Sequence, residues 1–189
     1  MGQKRKFIIF GVIIISLLAI GGVFYWKNQE DIKNLNAKLP EGIKVTKTLT
    51  GKYRVTNKID GYEFTAPKEW NGIKEIKYIG EWKEKGYKGK SINLQANNGI
   101  SNILAIDQFQ IENWEDFSLE SWAKKSFENF GLVGEFQKNK INGFEVVKTK
   151  ESAHLLGMYV YFFKKGSFVY AITGGPEESI KEIIINGRW

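Results

Sequence analysis

The chain has 189 residues, of which 42% are hydrophobic and 14% aromatic, enough for one folded domain with an additional segment but too few for two ordinary domains. Lysine and arginine number 28 against 21 aspartate and glutamate residues, which gives a net charge of +7, and cysteine is absent. This composition excludes disulfides, thiolate metal sites, cysteine nucleophiles and the lipid-modified cysteine of a bacterial lipoprotein.

Residues 7–26 form the only long apolar run and carry no charged side chain. As a helix rising about 1.5 Å per residue, the run would be about 30 Å long, the thickness of a bilayer's hydrocarbon core. Thirteen of its 20 residues are Ile, Leu, Val or Phe, which favours insertion by about 4–8 kcal/mol before smaller opposing costs. We therefore predict a transmembrane helix whose anchoring residues include Phe7, Ile8, Ile13, Leu17, Phe24, Tyr25 and Trp26.

The charges beside this run predict its orientation. Lys4, Arg5 and Lys6 precede it directly, and positively charged flanks stay in the cytoplasm. Residues 1–6 are therefore expected to be a cytoplasmic stub of a single-pass cell-membrane protein, and everything after Trp26 is expected to be extracytoplasmic.

A cleaved signal peptide is the alternative to an uncleaved anchor, and a buried core helix is a third possibility. The best cleavage candidate, residues 19–21, lies inside the apolar run, so cutting there would leave Val, Phe, Tyr and Trp at the new terminus. Tyr25 and Trp26 instead resemble an interfacial aromatic belt, followed by Lys27 on the water side. The anchor is the favoured interpretation.

Residues 27–52 are predicted to be a juxtamembrane helix and linker. Ile32, Leu35 and Leu39 have helical spacing, and Pro40 would end the helix. Residues 43–52 lack aromatic side chains and suggest no pairing partner, so the domain is predicted to span residues 53–189.

From Tyr53 onward, short runs of aromatic and β-branched residues predict strands. Turn dipeptides separate several of them, namely Asp60-Gly61, Asn142-Gly143 and Lys165-Gly166. Strands joined by such short turns must pair antiparallel, because parallel pairing needs a long crossover.

Two helices are predicted among these strands. Ser118 is placed to cap the first helix and Gly131 to end it, with Leu119, Trp122, Ala123, Phe127 and Phe130 on one face. The second helix has Pro176 in its first turn, and its buried face comprises Ile180, Ile183 and Ile184.

The order of these elements resembles that of the PsbP-like family over about residues 53–189. The segments that carry the resemblance are GYEFTAPKEW, SNILAIDQF, SLESWAKKSFENF, INGFEVVKT, MYVYFFKKGSFVYAITGG and EESIKEIIING. The resemblance implies an α/β/α sandwich around a central antiparallel sheet, a bacterial extracytoplasmic setting and a non-catalytic role in binding or assembling partners. The predicted fold class is therefore α+β, with a single N-terminal transmembrane helix followed by this sandwich. No functional residue is transferred from the family.

Candidate catalytic and metal-binding residues are few. His154 is the only histidine and has Ser152 two residues away, but neither an activated elbow nor an oxyanion hole is evident. A zinc site would have to consist mostly of carboxylates, which is unusual. The acidic residues Glu112, Glu115 and Asp116 are explained by a following helix start. No enzyme activity, metal or other cofactor is predicted.

The stretch EWKEKGYKGK is the densest basic segment, and it interleaves aromatic residues with lysines. Its candidate binding residues are Trp82, Tyr87, Lys88 and Lys90. The favoured interpretation is a solvated hairpin edge, where lysines discourage sheet-to-sheet aggregation. The alternative is a surface for an anionic polymer or lipid headgroups. Four other tryptophans are predicted to pack in or over the core: Trp70, Trp114, Trp122 and Trp189.

Together these features predict a membrane-anchored extracytoplasmic binding or assembly module of a bacterial envelope. Its expected partners are membrane lipid, through the N-terminal helix, and an envelope protein; nucleic acid is not expected outside the cytoplasm. The alternatives are an envelope hydrolase with an unrecognised site and a structural envelope protein without a specific ligand.

Overall fold

The computed structural model describes residues 29–67, 70, 72–96, 103–112, 117–149 and 159–189. These residues form ten strands and three helices. The helices are α1 (residues 29–36), α2 (Leu119–Asn129) and α3 (Glu177–Asn186). The strands are β1 (Ile43–Lys47), β2 (Tyr53–Asn57), β3 (Tyr62–Thr65), β4 (Ile73–Glu84), β5 (Tyr87–Ala96), β6 (Ile103–Gln110), β7 (Phe136–Ile141), β8 (Phe144–Thr149), β9 (Val160–Lys165) and β10 (Phe168–Thr173).

The strands form two antiparallel sheets. The small sheet has the order β1-β2-β3, and the large sheet has the order β4-β5-β6-β10-β9-β8-β7. Most neighbours are joined by hairpins, as the turn dipeptides predicted. The turn between β7 and β8 consists of Asn142 and Gly143, both with positive φ, the conformation that a two-residue hairpin turn requires.

The two faces of the large sheet are covered differently. The small sheet and α3 pack on one face, where Val45, Phe64, Ile92, Leu104 and Ile180 are buried together. Helix α2 packs on the other face, against strands β7, β8 and β9. Its buried residues Ala123 and Phe127 contact side chains of the sheet that include Phe162.

Both predicted helices are confirmed. The Ser118 hydroxyl accepts a hydrogen bond from the Ser121 amide (3.3 Å), which caps α2, and Gly131 follows the helix with a positive φ. Helix α3 follows Pro176. Its buried face consists of Ile180, Ile183 and Ile184, together with Ser179.

The predicted fold class, an α+β chain with a transmembrane helix before an α/β/α sandwich, is wrong for the described residues. They are predominantly antiparallel β-structure, and a second sheet occupies most of the layer where a helical layer was expected. The physical reason lies in residues 43–47. Ile43 and Val45 alternate with polar residues, and pairing with β2 buries both of them.

The segment before the predicted domain boundary at residue 52 contributes to this core. Leu35 of α1 is buried with β1 and β2. The Asn36 side chain joins the helix to the strand, because its Nδ2 donates to the Val45 carbonyl (2.9 Å) and its Oδ1 accepts from the Val45 amide (2.7 Å).

The predicted membrane span, residues 7–26, and the basic residues before it lie outside the described residues. None of the helices in the described part of the chain has both the length and the apolar character needed to cross a bilayer.

Candidate ligand-binding groove

A groove of about 480 Å³ opens at one end of the large sheet. It lies where β4 ends, β5 begins, β6 ends and β10 begins, four positions that antiparallel pairing brings together. The residues that line it are Glu81, Trp82, Lys83, Lys88, Gly89, Lys90, Gln108, Gln110 and Phe168.

Strand register gathers the lysines on one face of the sheet. Lys83 of β4 lies directly opposite Lys88 of β5, and Lys90 follows two residues further along. Residues two apart in a strand share a face, so the three ammonium groups face the side opposite α2. Like charges directly opposite each other destabilise a sheet, and either protection of the edge strand or binding of an anionic ligand would offset this cost.

Beneath the groove, a buried polar network holds Lys90. The Asp60 side chain, only 1% exposed, lies 2.9 Å from Lys90 Nζ through Oδ1. Asn57 Nδ2 donates to Asp60 Oδ2 (2.7 Å), and the Tyr78 hydroxyl donates to Oδ1 (3.3 Å). These contacts compensate for the removal of the carboxylate from water.

Gln108 connects the groove to the same network. Its Nε2 donates to the Asp60 carbonyl (3.2 Å) and to the Tyr170 hydroxyl (2.8 Å). Burial, together with the Asp60 charge, raises the pKa of Tyr78 to about 12. Burial likewise raises the pKa of Tyr170. Both phenols therefore remain protonated near neutral pH, the Tyr78 hydroxyl as a donor to Asp60 and the Tyr170 hydroxyl as an acceptor from Gln108.

The residues that line the groove include three lysines and one acid, while Asp60 and Glu112 contact two of these lysines from outside the lining. Lys88 lies 3.7 Å from Glu112 in a solvent-exposed pair, which screening makes weak. Lys83 has no ion pair with any described acidic residue, and Glu81 is the one acidic side chain among the lining residues that the structure describes. The exposed Gln110 side chain adds a neutral donor and acceptor, so the groove offers lysine and amide groups to an anionic, hydrogen-bonding ligand.

The four residues proposed from the basic stretch divide between two environments. Trp82, Lys88 and Lys90 line the groove. Tyr87 is half-buried on the α2 side, with its ring edge-on to Phe109 and Trp122. The stretch forms the β4–β5 hairpin at the edge of the large sheet, as the favoured interpretation predicted, and the groove is built into that hairpin.

Sequence reasoning missed several groove residues. Lys83 lies in the basic stretch, but its position opposite Lys88 becomes apparent only from the strand register. Gln108 and Phe168 are far from the hairpin in sequence and carry no local signal. They reach the groove because β6 and β10 are neighbours in the sheet.

A second polar cluster lies on the opposite face of the same strands. Trp82 Nε1 donates to Ser91 Oγ (3.2 Å), and the Ser91 hydroxyl donates to Asp107. Burial raises the pKa of Asp107, and the Ser91 hydrogen bond partly opposes this shift. The cluster fixes the Trp82 ring over Gly89.

Glu177, in the first turn of α3, forms structural contacts with the large sheet. Glu177 accepts hydrogen bonds from the Tyr161 hydroxyl (2.7 Å) and from Lys148 Nζ (2.9 Å). The Tyr161 hydrogen bond, followed by that of Lys148, lowers the pKa of Glu177 to about 2. Glu177 thereby joins α3 to β8 and β9.

The other candidates are placed as follows. His154, Ser152, Glu115, Asp116 and Trp114 lie outside the described residues. No group of three or more His, Cys, Asp or Glu side chains placed to hold a metal ion occurs among the residues that are described. The prediction that tryptophans pack in or over the core is confirmed for three residues: Trp70 is buried, Trp122 packs against Phe109, and Trp189 stacks on Tyr62.

No known protein family matches the chain, and no curated protein shows significant similarity to it. The resemblance to the PsbP-like family stays a prediction.

Proposed function

We propose that the chain is a membrane-anchored, extracytoplasmic and non-catalytic binding module of a bacterial cell envelope. In this proposal, residues 7–26 hold it in the membrane, and the groove recognises an acidic segment of an envelope protein. Anchoring would raise the effective concentration of the domain near such partners.

One observation carries the binding proposal: Lys83 and Lys88 lie directly opposite each other at the rim of the groove. An unfavourable charge arrangement is expected where function requires it. An acidic ligand would neutralise the pair, and the exposed side-chain amide of Gln110 could bind the backbone of a peptide. The groove is open to solvent, which allows a chain segment to lie across it.

The test uses fluorescence anisotropy to measure the affinity of a labelled hexaglutamate peptide for the full chain in detergent. Because charge-assisted contacts contribute about 1.5 kcal/mol or more each, Lys83→Gln/Lys88→Gln is expected to weaken binding at least about tenfold. Wild-type binding is also expected to weaken as salt is raised.

The matched control is Lys125→Gln/Lys140→Gln, which makes the same charge change at exposed positions of α2 and β7. Equal loss of affinity in the two variants would show that net charge, rather than the groove, attracts the peptide. Binding of hexalysine with comparable affinity would also contradict the proposal.

A further inference from the structure

A second basic surface lies on the small sheet, separate from the groove. A hollow of about 610 Å³ opens where α1, β1 and the turn between β2 and β3 meet. One lysine from each of these three elements lines it: Lys33, Lys44 and Lys58. We call this surface the basic hollow.

The lysines of the basic hollow differ from many others in the chain. Lys52, Lys90 and Lys148 each pair with an acidic side chain. In contrast, none of the three hollow lysines forms an ion pair with an acid in the described ranges. Glu41 is exposed in the turn before β1 but does not line the hollow. The Glu63 carboxylate accepts a hydrogen bond from Thr56 of the lining (2.8 Å) but forms its ion pair with Arg54. The three lysines of the hollow therefore exceed the acidic charge beside them.

Hydrogen bonds hold the backbone around the basic hollow in place. The Asn36 side chain joins α1 to β1 through both its amide oxygen and its nitrogen. The Lys58 amide donates to the Gly42 carbonyl (2.8 Å), which fixes the turn against the segment before β1. The three lysines thus project from a defined frame, and their convergence does not depend on a flexible loop.

An apolar side chain stands beside these charges. Ile59 follows Lys58 in the turn and is 43% exposed, and its side chain lies against Gly42. A cluster of lysines with an exposed aliphatic residue is the combination by which proteins contact the surface of an anionic bilayer, where the charges meet headgroups and the apolar side chain enters the interface.

The position in the chain favours the same partner. Lys33 follows Trp26, the end of the predicted span, by seven residues. Such a segment covers about 10 Å if helical and about 25 Å if extended. The attraction of an anionic membrane surface acts over a Debye length of about 8 Å at physiological salt. The anchor would therefore keep the basic hollow close enough to the membrane for it to approach the headgroups to within this distance.

We propose that the basic hollow binds the phosphate headgroups of anionic lipids in the membrane that anchors the chain, so that the small sheet faces the bilayer. This inference rests on the proposed membrane anchoring and goes beyond the proposed peptide groove. It assigns a fixed orientation to the domain, whereas an anchor alone would leave the domain free to rotate.

The absence of cysteine allows a direct test, because a single introduced cysteine can be labelled uniquely. The full chain with Ile59→Cys carries an environment-sensitive fluorophore and is reconstituted into nanodiscs of POPC or of equimolar POPC and POPG. Each preparation contains a headgroup spin-labelled lipid as quencher. We expect strong quenching only in the POPG nanodiscs, and reversal by high salt.

The decisive variant is Lys33→Gln/Lys44→Gln/Lys58→Gln. Since each lysine near an anionic surface strengthens binding about fivefold, the three substitutions should reduce the lipid-docked population on the order of 100-fold. The matched control, Lys77→Gln/Lys125→Gln/Lys140→Gln, changes the net charge equally at exposed positions outside the hollow. Circular dichroism and thermal melting confirm that both variants fold.

A label at Val133→Cys, an exposed position after α2, reports the other face of the molecule and should remain unquenched. Equal quenching at positions 59 and 133, or quenching that survives the lysine substitutions, would overturn the inference. An unquenched label at 59 in POPG nanodiscs would also overturn it and leave the hollow to a protein partner.

A separate experiment tests the anchor alone: alkaline extraction of the full chain from POPC liposomes shows whether the protein stays in the membrane when no anionic lipid is present. Loss of the protein from these liposomes would refute the proposed anchoring. In that case, lysine-dependent and salt-sensitive sedimentation with POPG vesicles would still support headgroup binding, and its absence would refute headgroup binding as well.

Discussion

At the scale of single residues, the Lys90–Asp60 pair connects the two sheets. Asp60 belongs to the turn of the small sheet, and Lys90 belongs to β5 of the large sheet. A buried carboxylate costs several kcal/mol of solvation, and the ion pair and hydrogen bonds offset that cost. The pair therefore adds little stability compared with an apolar contact, but removing one partner is expensive.

We expect Lys90→Met to destabilise the fold by about 3 kcal/mol, since it leaves a buried carboxylate without its cation. Asp60→Asn should cost less, about 1–2 kcal/mol, because the amide keeps hydrogen bonds and Lys90 is 31% exposed. Urea denaturation of both variants and of the double variant gives the coupling energy, expected at about 1–3 kcal/mol. Lys88→Met, at an exposed pair, is the control; an equal loss there would contradict this account.

At the scale of elements, the β4–β5 hairpin contains a β-bulge, and next to the bulge the Trp82 ring packs over Gly89. The register shifts between Ile79 and Trp82, and the Trp82 ring then covers Gly89. A Cβ atom at Gly89 would lie 2.6 Å from Trp82 Cζ2 and 3.0 Å from the Gln108 carbonyl oxygen. The absence of a side chain at this position is thus what allows the ring to lie flat against the strand.

Gly89→Ala is expected to displace the Trp82 ring and to destabilise the domain by about 1–3 kcal/mol through overpacking. The measurements are thermal unfolding and the fluorescence of Trp82, obtained by difference from Trp82→Phe. Gly80→Ala in the same hairpin is the control, because its nearest heavy atom, Tyr78 Cε1, is 3.9 Å away. A tolerated Gly89→Ala with unchanged fluorescence would mean that the ring is not held there.

Sequence predicted these elements to different extents. Asn142-Gly143 and Ser118 have local chemistry that defines a turn and a helix cap, and both predictions are confirmed. In strand β1, the buried residues Ile43 and Val45 alternate with polar residues. A strand this short cannot be predicted from its own sequence without knowing that β2 pairs with it. The groove depends on the pairing of β6 with β10, a contact across about 60 residues that no local pattern encodes.

At the scale of the whole molecule, the small sheet covers one face of the large sheet, and its first strand lies before the predicted domain boundary. Ile43 and Val45 of β1 and Leu35 of α1 are buried in the shared core. Complete burial of an aliphatic side chain contributes about 1.5–3 kcal/mol. These three together contribute about 5–9 kcal/mol, which is comparable to the total stability of a typical domain.

We therefore expect a fragment of residues 53–189 to be unfolded or aggregated and a fragment of residues 29–189 to unfold cooperatively. Removing β1 would also leave β2 as an unpaired edge, which favours aggregation. Circular dichroism with thermal melting and size-exclusion chromatography compare the two fragments. Cooperative unfolding of the shorter fragment at a similar temperature would support the boundary predicted from sequence.

The turn of residues 58–61 belongs to both proposed surfaces. Lys58 lines the basic hollow and Ile59 lies beside it against Gly42, while Asp60 forms an ion pair with Lys90 at the floor of the groove. An acidic peptide that draws the Lys90 ammonium away from Asp60 would loosen the support of the turn on its inner side. By thermodynamic linkage, any such effect is mutual. Peptide binding in the groove would change the affinity of the hollow for lipid, and lipid binding would change the affinity of the groove for peptide by the same factor. The four residues of this turn would couple the two sites.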